Sequence, residues 1–132
     1  MAGNTDLQKV LSSIQISCDE IEYGFVCIDE GIEINLNEVT GTFREQEGLT
    51  VIASLNYLKS KNLKNYEGPF AKLTIDVHTS LELVGLTATL ATKLGESNIS
   101  ANVVAAYYHD HIFVQYDLKD VAIEALNALA RQ

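Results

Sequence analysis

Residues 73–116 read LTIDVHTSLELVGLTATLATKLGESNISANVVAAYYHDHIFVQY. The first five, residues 73–77, are rich in β-formers and predict a strand. Leucines then recur at helical spacing, which predicts a helix over residues 83–96 with one apolar face. Thr79 or Ser80 can cap the start of this helix, because a hydroxyl oxygen accepts from the unpaired N–H groups of the first turn.

The remainder of this half predicts two strands and a second helix. Residues 101–108 and 112–116 are apolar runs typical of strands, and His109-Asp110-His111 between them predicts the turn of a hairpin. Apolar residues recur at helical spacing over 118–130. The order strand, helix, strand, strand, helix is that of a ferredoxin-like βαββαβ unit without its last strand.

The first half predicts a related unit that lacks its first strand and has an extra hairpin segment. Asn65-Tyr66-Glu67-Gly68-Pro69 contains the single proline of the chain and predicts a boundary. We therefore expect an α+β fold of two repeats, residues 1–68 and 69–132, with antiparallel sheets and helices on one face. The neighbouring repeat or a second chain would cover their open edges. The first half is predicted to begin with a helix over residues 4–14. Three strands follow, over residues 21–28, 39–44 and 49–53, and then a short helix over residues 54–62.

Composition narrows the functional class. The 132 residues carry a formal charge of −9, which repels phosphate backbones, so we expect no nucleic-acid partner. No apolar run reaches membrane-spanning length, and the first residues lack a secretory pattern, so we expect a cytoplasmic protein without a membrane partner. Cys18 and Cys27 match no zinc pattern, and Cys27 is expected to be a small buried apolar residue. We expect no cofactor.

Three segments of the second half carry a family resemblance. They are VHTSLELVGL (77–86), LGESNIS (94–100) and AAYYHDHIFV (105–114), and they resemble the signature of ACT domains. With TFREQEGLT (42–50), the chain is similar to a family of uncharacterised bacterial proteins built of two tandem ACT-like repeats. It also resembles the paired ACT modules of aspartokinases and of cytosolic arginine sensors. Val84 replaces the usual proline of the signature.

The resemblance implies a regulatory module that binds a small molecule, an amino acid in the first instance, at a seam between modules of a homodimer or larger assembly. The N-terminus of a helix attracts a carboxylate, and a glycine there permits close approach. An alternative is that Gly85 only relieves crowding between helix and sheet. A further alternative is a structural oligomerisation module with no ligand. The residues implied for the two walls of the site are His78, Thr79, Ser80, Val84, Gly85 and Leu86 on one, and Asn98, Ile99, Ser100 and Asn102 on the other.

The histidines allow a metal hypothesis, which we do not favour. His109 and His111 would share a face of a continuous strand, but a zinc site needs a further ligand, and His78 lies on a different element. We therefore expect a hairpin turn and no metal. Tyr107 and Tyr108 should point to opposite faces of their strand, so one is expected to pack in the core.

Arg44 and the absence of catalytic motifs complete the sequence evidence. Arg44 lies on a predicted strand among acidic residues, where it could clamp a carboxylate ligand or pair with Glu22, Glu45 or Glu47. No GxSxG, HExxH or P-loop pattern is present, so we expect no catalytic activity and name no catalytic residue.

Overall fold

The computed structural model describes residues 2–76 and 85–131, with the side chains of residues 8–76 and 85–131. Within these residues, no helix is long and apolar enough to cross a membrane. A 3-10 turn, Tyr116–Leu118, precedes the last helix. The other elements in chain order are α1 (Ala2–Ser13), β1 (Gln15–Cys18), β2 (Tyr23–Ile28), β3 (Gly41–Glu45), β4 (Gly48–Ser54), α2 (Leu55–Ser60), β5 (Glu67–Asp76), α3 (Leu86–Glu96), β6 (Asn102–Ala105), β7 (Asp110–Gln115) and α4 (Lys119–Ala130).

The chain packs into two compact units. The large unit consists of residues 1–19 and 71–132, and the small unit consists of residues 20–70. The first segment of the chain therefore packs with the second half and not with its neighbours in sequence. The predicted division into repeats 1–68 and 69–132 concerns the sequence repeats and stays a prediction.

The large unit contains the strand that the second repeat lacks in sequence. Strand β1 pairs antiparallel with the second part of β5, from Gln15 opposite Asp76 to Cys18 opposite Leu73. Its strand order is β1-β5-β7-β6, with β6 and β7 forming an antiparallel hairpin. Leucines of α3 and α4 pack against the strands in one core, so burial of these helix faces holds the unit together. The fully buried members of this core include Leu73, Leu90, Leu94, Ile112 and Leu126.

The small unit has strand order β3-β4-β2-β5, and every neighbouring pair is antiparallel. Helix α2 begins after Ser54, whose side chain accepts a hydrogen bond from the Tyr57 N–H at 3.1 Å. Leu55 and Leu58 of α2 complete its core with residues of β2 and β4. Residues 29–40 connect β2 to β3 without a helix. The expectation that the first repeat lacks its first strand is therefore wrong, because what it lacks is its first helix.

Together these observations confirm the predicted α+β fold of two ferredoxin-like repeats with antiparallel sheets and helices. Each unit has the strand order that a βαββαβ chain produces.

The predicted break at Gly68-Pro69 lies inside strand β5. The register between β2 and β5 shifts here, because Tyr23 faces Phe70 while Phe25 faces Glu67, so two residues stand opposite one. Such a bulge accommodates a proline, which cannot donate to the ladder. Gly68 has φ 142°, and a Cβ on it would lie 2.7 Å from the carbonyl oxygen of Tyr23. The glycine and proline therefore mark an irregular strand.

Three smaller expectations are also corrected. The hairpin turn lies before the predicted triplet, because the Ala106 N–H donates to the His109 carbonyl and Asp110 begins β7. Tyr107 and Tyr108 therefore leave the strand and are 92% and 84% exposed, so neither packs in the core. Cys27 is exposed, because it alternates with the buried Val26 and Ile28 on β2.

Candidate functional site

The first predicted wall of the ligand site is described in part. His78, Thr79, Ser80 and Val84 lie outside the described residues, and so does the predicted capping role of Thr79 and Ser80. Helix α3 starts at Leu86, with Gly85 at its N-cap in a left-handed conformation, φ 95°. Leu86 is buried in the core of the large unit, so its side chain supports the helix instead of facing a ligand.

The space beside the Cα of Gly85 is free of other described residues. Gly85 provides no side-chain cap, and a Cβ on it would meet no atom of the described residues within 4 Å. The first N–H groups of a helix have no intrahelical partner and carry a partial positive charge. A carboxylate is already close, because the Thr87 hydroxyl donates to Asp110 Oδ2 at 3.3 Å. The start of α3 thus has both N–H donors and a neighbouring negative side chain.

The second predicted wall lies at the opposite end of α3. Asn98 has φ 65° and its N–H donates to the Gly95 carbonyl, which ends the helix. Ile99 is buried, Ser100 is exposed, and the Asn102 amide donates to the Phe113 carbonyl at 3.1 Å. The 11 residues of α3 rise about 1.5 Å each, so about 16 Å separates Gly85 from Asn98 within one chain.

The histidines of β7 and its turn contact polar residues of β5. His109 Nδ1 lies 3.7 Å from Asp76 Oδ1, and His111 Nδ1 lies 3.0 Å from the Thr74 hydroxyl. Burial, followed by Lys72 and His109, lowers the pKa of His111 below its ordinary value. Across residues 2–76 and 85–131, no three His, Cys, Asp or Glu side chains are close enough to hold one metal ion. Within the described residues, His111 is therefore hydrogen-bonded to Thr74, and His109 lies at ion-pair distance from Asp76.

A cleft in the small unit brings together residues that the sequence did not connect. We call it the Arg44 cleft; its walls are residues 28–32, which end β2 and form the following turn, and residues 44–49, the β3–β4 hairpin. Its volume is 680 Å³. No described acidic side chain forms an ion pair with Arg44, so the expected pairing with Glu22, Glu45 or Glu47 is wrong.

Each of the two turns that line this cleft can be predicted separately from the sequence. Asp29-Glu30-Gly31 and Glu45-Gln46-Glu47-Gly48 are polar, glycine-containing segments typical of turns. Nothing local shows that they face each other, because this follows from the pairing of Ile28 with Leu49. Predicting the cleft would therefore have required the register of β2 against β4.

Comparisons with known proteins agree with this architecture. One ACT-domain family model matches residues 65–128, and another matches residues 2–71. No curated protein sequence matches the chain. A crystal structure of a Vibrio cholerae protein of unknown function, described as a possible transport protein, is 39% identical, with a TM-score of 0.87 over 97% of this chain and 98% of that one.

More distant structures share the fold alone. A protein from Agrobacterium tumefaciens is 13% identical, with a TM-score of 0.70 over 89% of this chain and 90% of that one. The ligand-free regulatory subunit of aspartate kinase from Thermus thermophilus is 10% identical, with a TM-score of 0.62 over 91% and 97%. The family-model matches and the 39% identical relative together show that the chain belongs to the ACT-domain family.

Proposed function

We propose that this chain is a regulatory module without catalytic activity that binds an amino acid at the start of α3. ACT domains are regulatory, ligand-binding modules, and this chain contains two of them. We propose in addition that the ligand is an amino acid, that the chain has no catalytic activity and that the protein is cytoplasmic. The acidic surface, with a formal charge of −9, argues against a nucleic-acid partner.

The observation that carries the proposal is the open, left-handed start of α3 at Gly85. A ligand carboxylate fits the N–H groups of the first helical turn, because no side chain of the described residues caps them and they lie at the positive end of the helix dipole. Asp110, beside Thr87, provides a carboxylate for the ammonium group of the same ligand. An α-amino acid has both of these charged groups, the carboxylate and the ammonium, bonded to its α-carbon.

The second wall of the site would come from another copy of the chain. Asn98 to Asn102 lie at the far end of α3, about 16 Å away along the helix, so one copy cannot close a small ligand between both walls. His78, Thr79, Ser80 and Val84 remain proposed members of the first wall. Binding would then favour the dimer, and such linkage is how a ligand can regulate an assembly.

The second candidate function is a structural oligomerisation module with no ligand. It is favoured by aromatic side chains that are exposed at edges of the two units, Phe43 on β3 and Tyr107 and Tyr108 in the β6–β7 turn. Exposed aromatic residues are enriched at protein interfaces. This function predicts the same dimer, but with no response to small molecules.

Thermal unfolding in the presence of each common amino acid separates the two functions. A ligand at about a hundred times its Kd stabilises the fold by about 2.7 kcal/mol, which raises the Tm by roughly 5–10 °C in a domain of this size. The Gly85→Val variant should lose this response, because a branched side chain covers the first-turn N–H groups.

The matched control for Gly85→Val is Gly31→Val. Gly31 has the same φ of 95° and equally open surroundings, so both variants carry the same backbone strain. A ligand that binds at α3 must still stabilise the Gly31 variant. The absence of any shift with any amino acid, or a shift that survives Gly85→Val, would contradict the proposed site.

A further inference from the structure

The two histidines at the start of β7 each have an oxygen atom of β5 beside the same ring nitrogen. Asp76 Oδ1 lies 3.7 Å from His109 Nδ1, and the Thr74 hydroxyl oxygen lies 3.0 Å from His111 Nδ1. An acceptor beside Nδ1 favours the tautomer that carries its proton on that nitrogen, which leaves the lone pair on Nε2. Histidines that bind metal ions are usually oriented in this way by a second group at the other ring nitrogen.

The two rings are close enough to bind one ion. Their centroids lie 6.3 Å apart, and the ring planes are inclined at 84°. A zinc ion lies about 2.0–2.1 Å from an imidazole nitrogen, so rings at this separation can share one ion after rotation of their side chains. His109 is 43% exposed, so its side chain can rotate without disturbing the core. Burial lowers the pKa of His111, which keeps its ring in the neutral form that binds metals.

One chain alone does not complete the coordination of an ion. A structural zinc site has four protein ligands and a catalytic one has three, whereas these histidines provide two. In the part of the chain that the structure describes, no further His, Cys, Asp or Glu side chain is close enough to share an ion with them. This shortage was the reason to expect no metal from the sequence. A second pair of histidines, related by a two-fold axis, provides the missing two ligands.

The surface beside the histidines has the properties of a protein interface. Tyr107 and Tyr108 belong to the same turn and are 92% and 84% exposed, and their rings pack edge to face with centroids 4.9 Å apart. Exposed aromatic residues are enriched at interfaces between proteins. The Ala106 N–H donates to the His109 carbonyl, which closes the turn that carries these side chains. Two such turns that meet at a two-fold axis bring four tyrosines and four histidines together.

We propose that a zinc ion, bound by His109 and His111 of two copies of the chain, joins two β6–β7 turns into a dimer. Imidazole nitrogens suit zinc, copper and nickel, and a tetrahedral set of four suits zinc, because Cu²⁺ and Ni²⁺ prefer tetragonal geometry. The charge of the ion offsets part of the repulsion between two chains that each carry a formal charge of −9. The proposal does not rest on the α3 site, in which residues 98–102 of one copy would meet the start of α3 in another.

Sedimentation of the untagged, full-length chain tests the assembly after its metals have been removed with EDTA. Zn²⁺ should double the mass of the sedimenting species, and EDTA should reverse the change. Mg²⁺ should have no effect, because it binds through oxygen ligands. Calorimetric titration should give one zinc ion for two chains. Zinc bound to each chain without association, or no zinc binding at micromolar concentrations, would overturn the proposal.

Three variants test the location of the ion. His109→Gln should abolish the association that depends on zinc, because the assembled site loses two of its four ligands. Asp76→Asn should weaken zinc binding about tenfold, because Asp76 is a positioning residue for His109. Glu47→Gln is the matched control, since it also converts one exposed carboxylate into an amide and lies in the small unit. Equal losses in Asp76→Asn and Glu47→Gln would show that zinc binds the acidic surface in general, which overturns the location.

A cysteine variant separates a metal ligand from a residue that only supports the fold. His109→Cys, studied with its thiols reduced, should restore the association that His109→Gln loses, because a thiolate also binds zinc. A His109→Cys chain that binds zinc no better than His109→Gln would overturn the role of His109 as a ligand. Amino-acid binding at α3 is measured separately, in EDTA, so a failure of the zinc-dependent association leaves that test unchanged.

Discussion

The two units differ most in the connection that follows the first strand of each repeat. In the large unit, Gly85 follows β5 and begins the 11-residue helix α3. In the small unit, Gly31 follows β2, and residues 29–40 reach β3 without a helix. Both glycines have φ 95° and open surroundings. The two glycines therefore share a left-handed φ, although Gly31 lies three residues after the end of β2 and Gly85 lies nine residues after the end of β5, and only Gly85 leads into a helix.

This difference reverses the local charge. The start of α3 carries unpaired N–H groups and the positive end of a helix dipole, which suit an anion. The turn in the small unit carries Asp29 and Glu30 instead, which suit a cation. The fold thus determines where each repeat has an accessible turn, and the local sequence determines which sign of charge that turn attracts.

The largest expected effect tests whether α3 is held by its core while the connection in the small unit is not. Leu94 of α3 is 0% exposed, and Leu94→Ala should lower the free energy of unfolding by about 2–5 kcal/mol, because a buried cavity is created. Leu36, in the connection, is 70% exposed, so Leu36→Ala should change it by less than about 0.5 kcal/mol. Urea unfolding measures both, and similar values would contradict the comparison.

The next effect tests whether the two glycines are equivalent. Gly85→Ala and Gly31→Ala should each lower the free energy of unfolding by about 1–2 kcal/mol, since both force an L-residue to a positive φ. Gly41→Ala is the control, because Gly41 has no positive φ and open surroundings, so little change is expected. A difference of more than about 1 kcal/mol between the first two variants would show that one turn relaxes and the other does not.

The large unit was predictable from sequence to the extent that its signals are local. Leu86, Leu90 and Leu94 recur at helical spacing, and all three are buried in α3 as predicted. The four-residue strand β1 was missed because its partner, β5, lies more than fifty residues away and no local pattern links them. The exposure of Cys27 was available from the alternation of β2, since Val26 and Ile28 occupy the buried face.

The candidate sites were less predictable, because they depend on which turns face each other. Arg44 was identified from sequence as a possible carboxylate clamp, and its lack of an ion partner could not be read from neighbouring acids. Asp29 and Glu30 join it through the register that pairs Ile28 with Leu49. Similarly, Gly85 and Asn98 lie at opposite ends of α3, so the length of this helix separates the two predicted walls of the site.

A smaller effect tests how the helices of the two units begin. Helix α2 of the small unit has a side-chain cap, the Ser54 hydroxyl oxygen, whereas α3 begins at a glycine. Ser54→Ala should lower the free energy of unfolding by about 1 kcal/mol, because the Tyr57 N–H loses its acceptor. Ser60→Ala at the exposed end of α2 is the control and should change it by less than about 0.5 kcal/mol. Equal losses in urea unfolding would indicate that the cap does not stabilise α2.

The smallest effect uses the histidines, which are confined to the large unit, since residues 20–70 contain none. Burial first, then the charges of Lys72 and His109, lowers the pKa of His111 below its ordinary 6.5, and Asp110 opposes them. The folded state therefore binds fewer protons at His111 than the unfolded state does between these two pKa values. Stability should fall as the pH is lowered through 6.5 toward the folded pKa, and be unaffected by this group well above 6.5.

Urea midpoints measured from about pH 7.5 to about pH 5.5 should decrease less in His111→Gln than in the natural chain. Glutamine keeps a hydrogen-bonding group beside Thr74 but cannot titrate. An equal decrease in both proteins would contradict a role for His111 and assign the pH dependence to other groups.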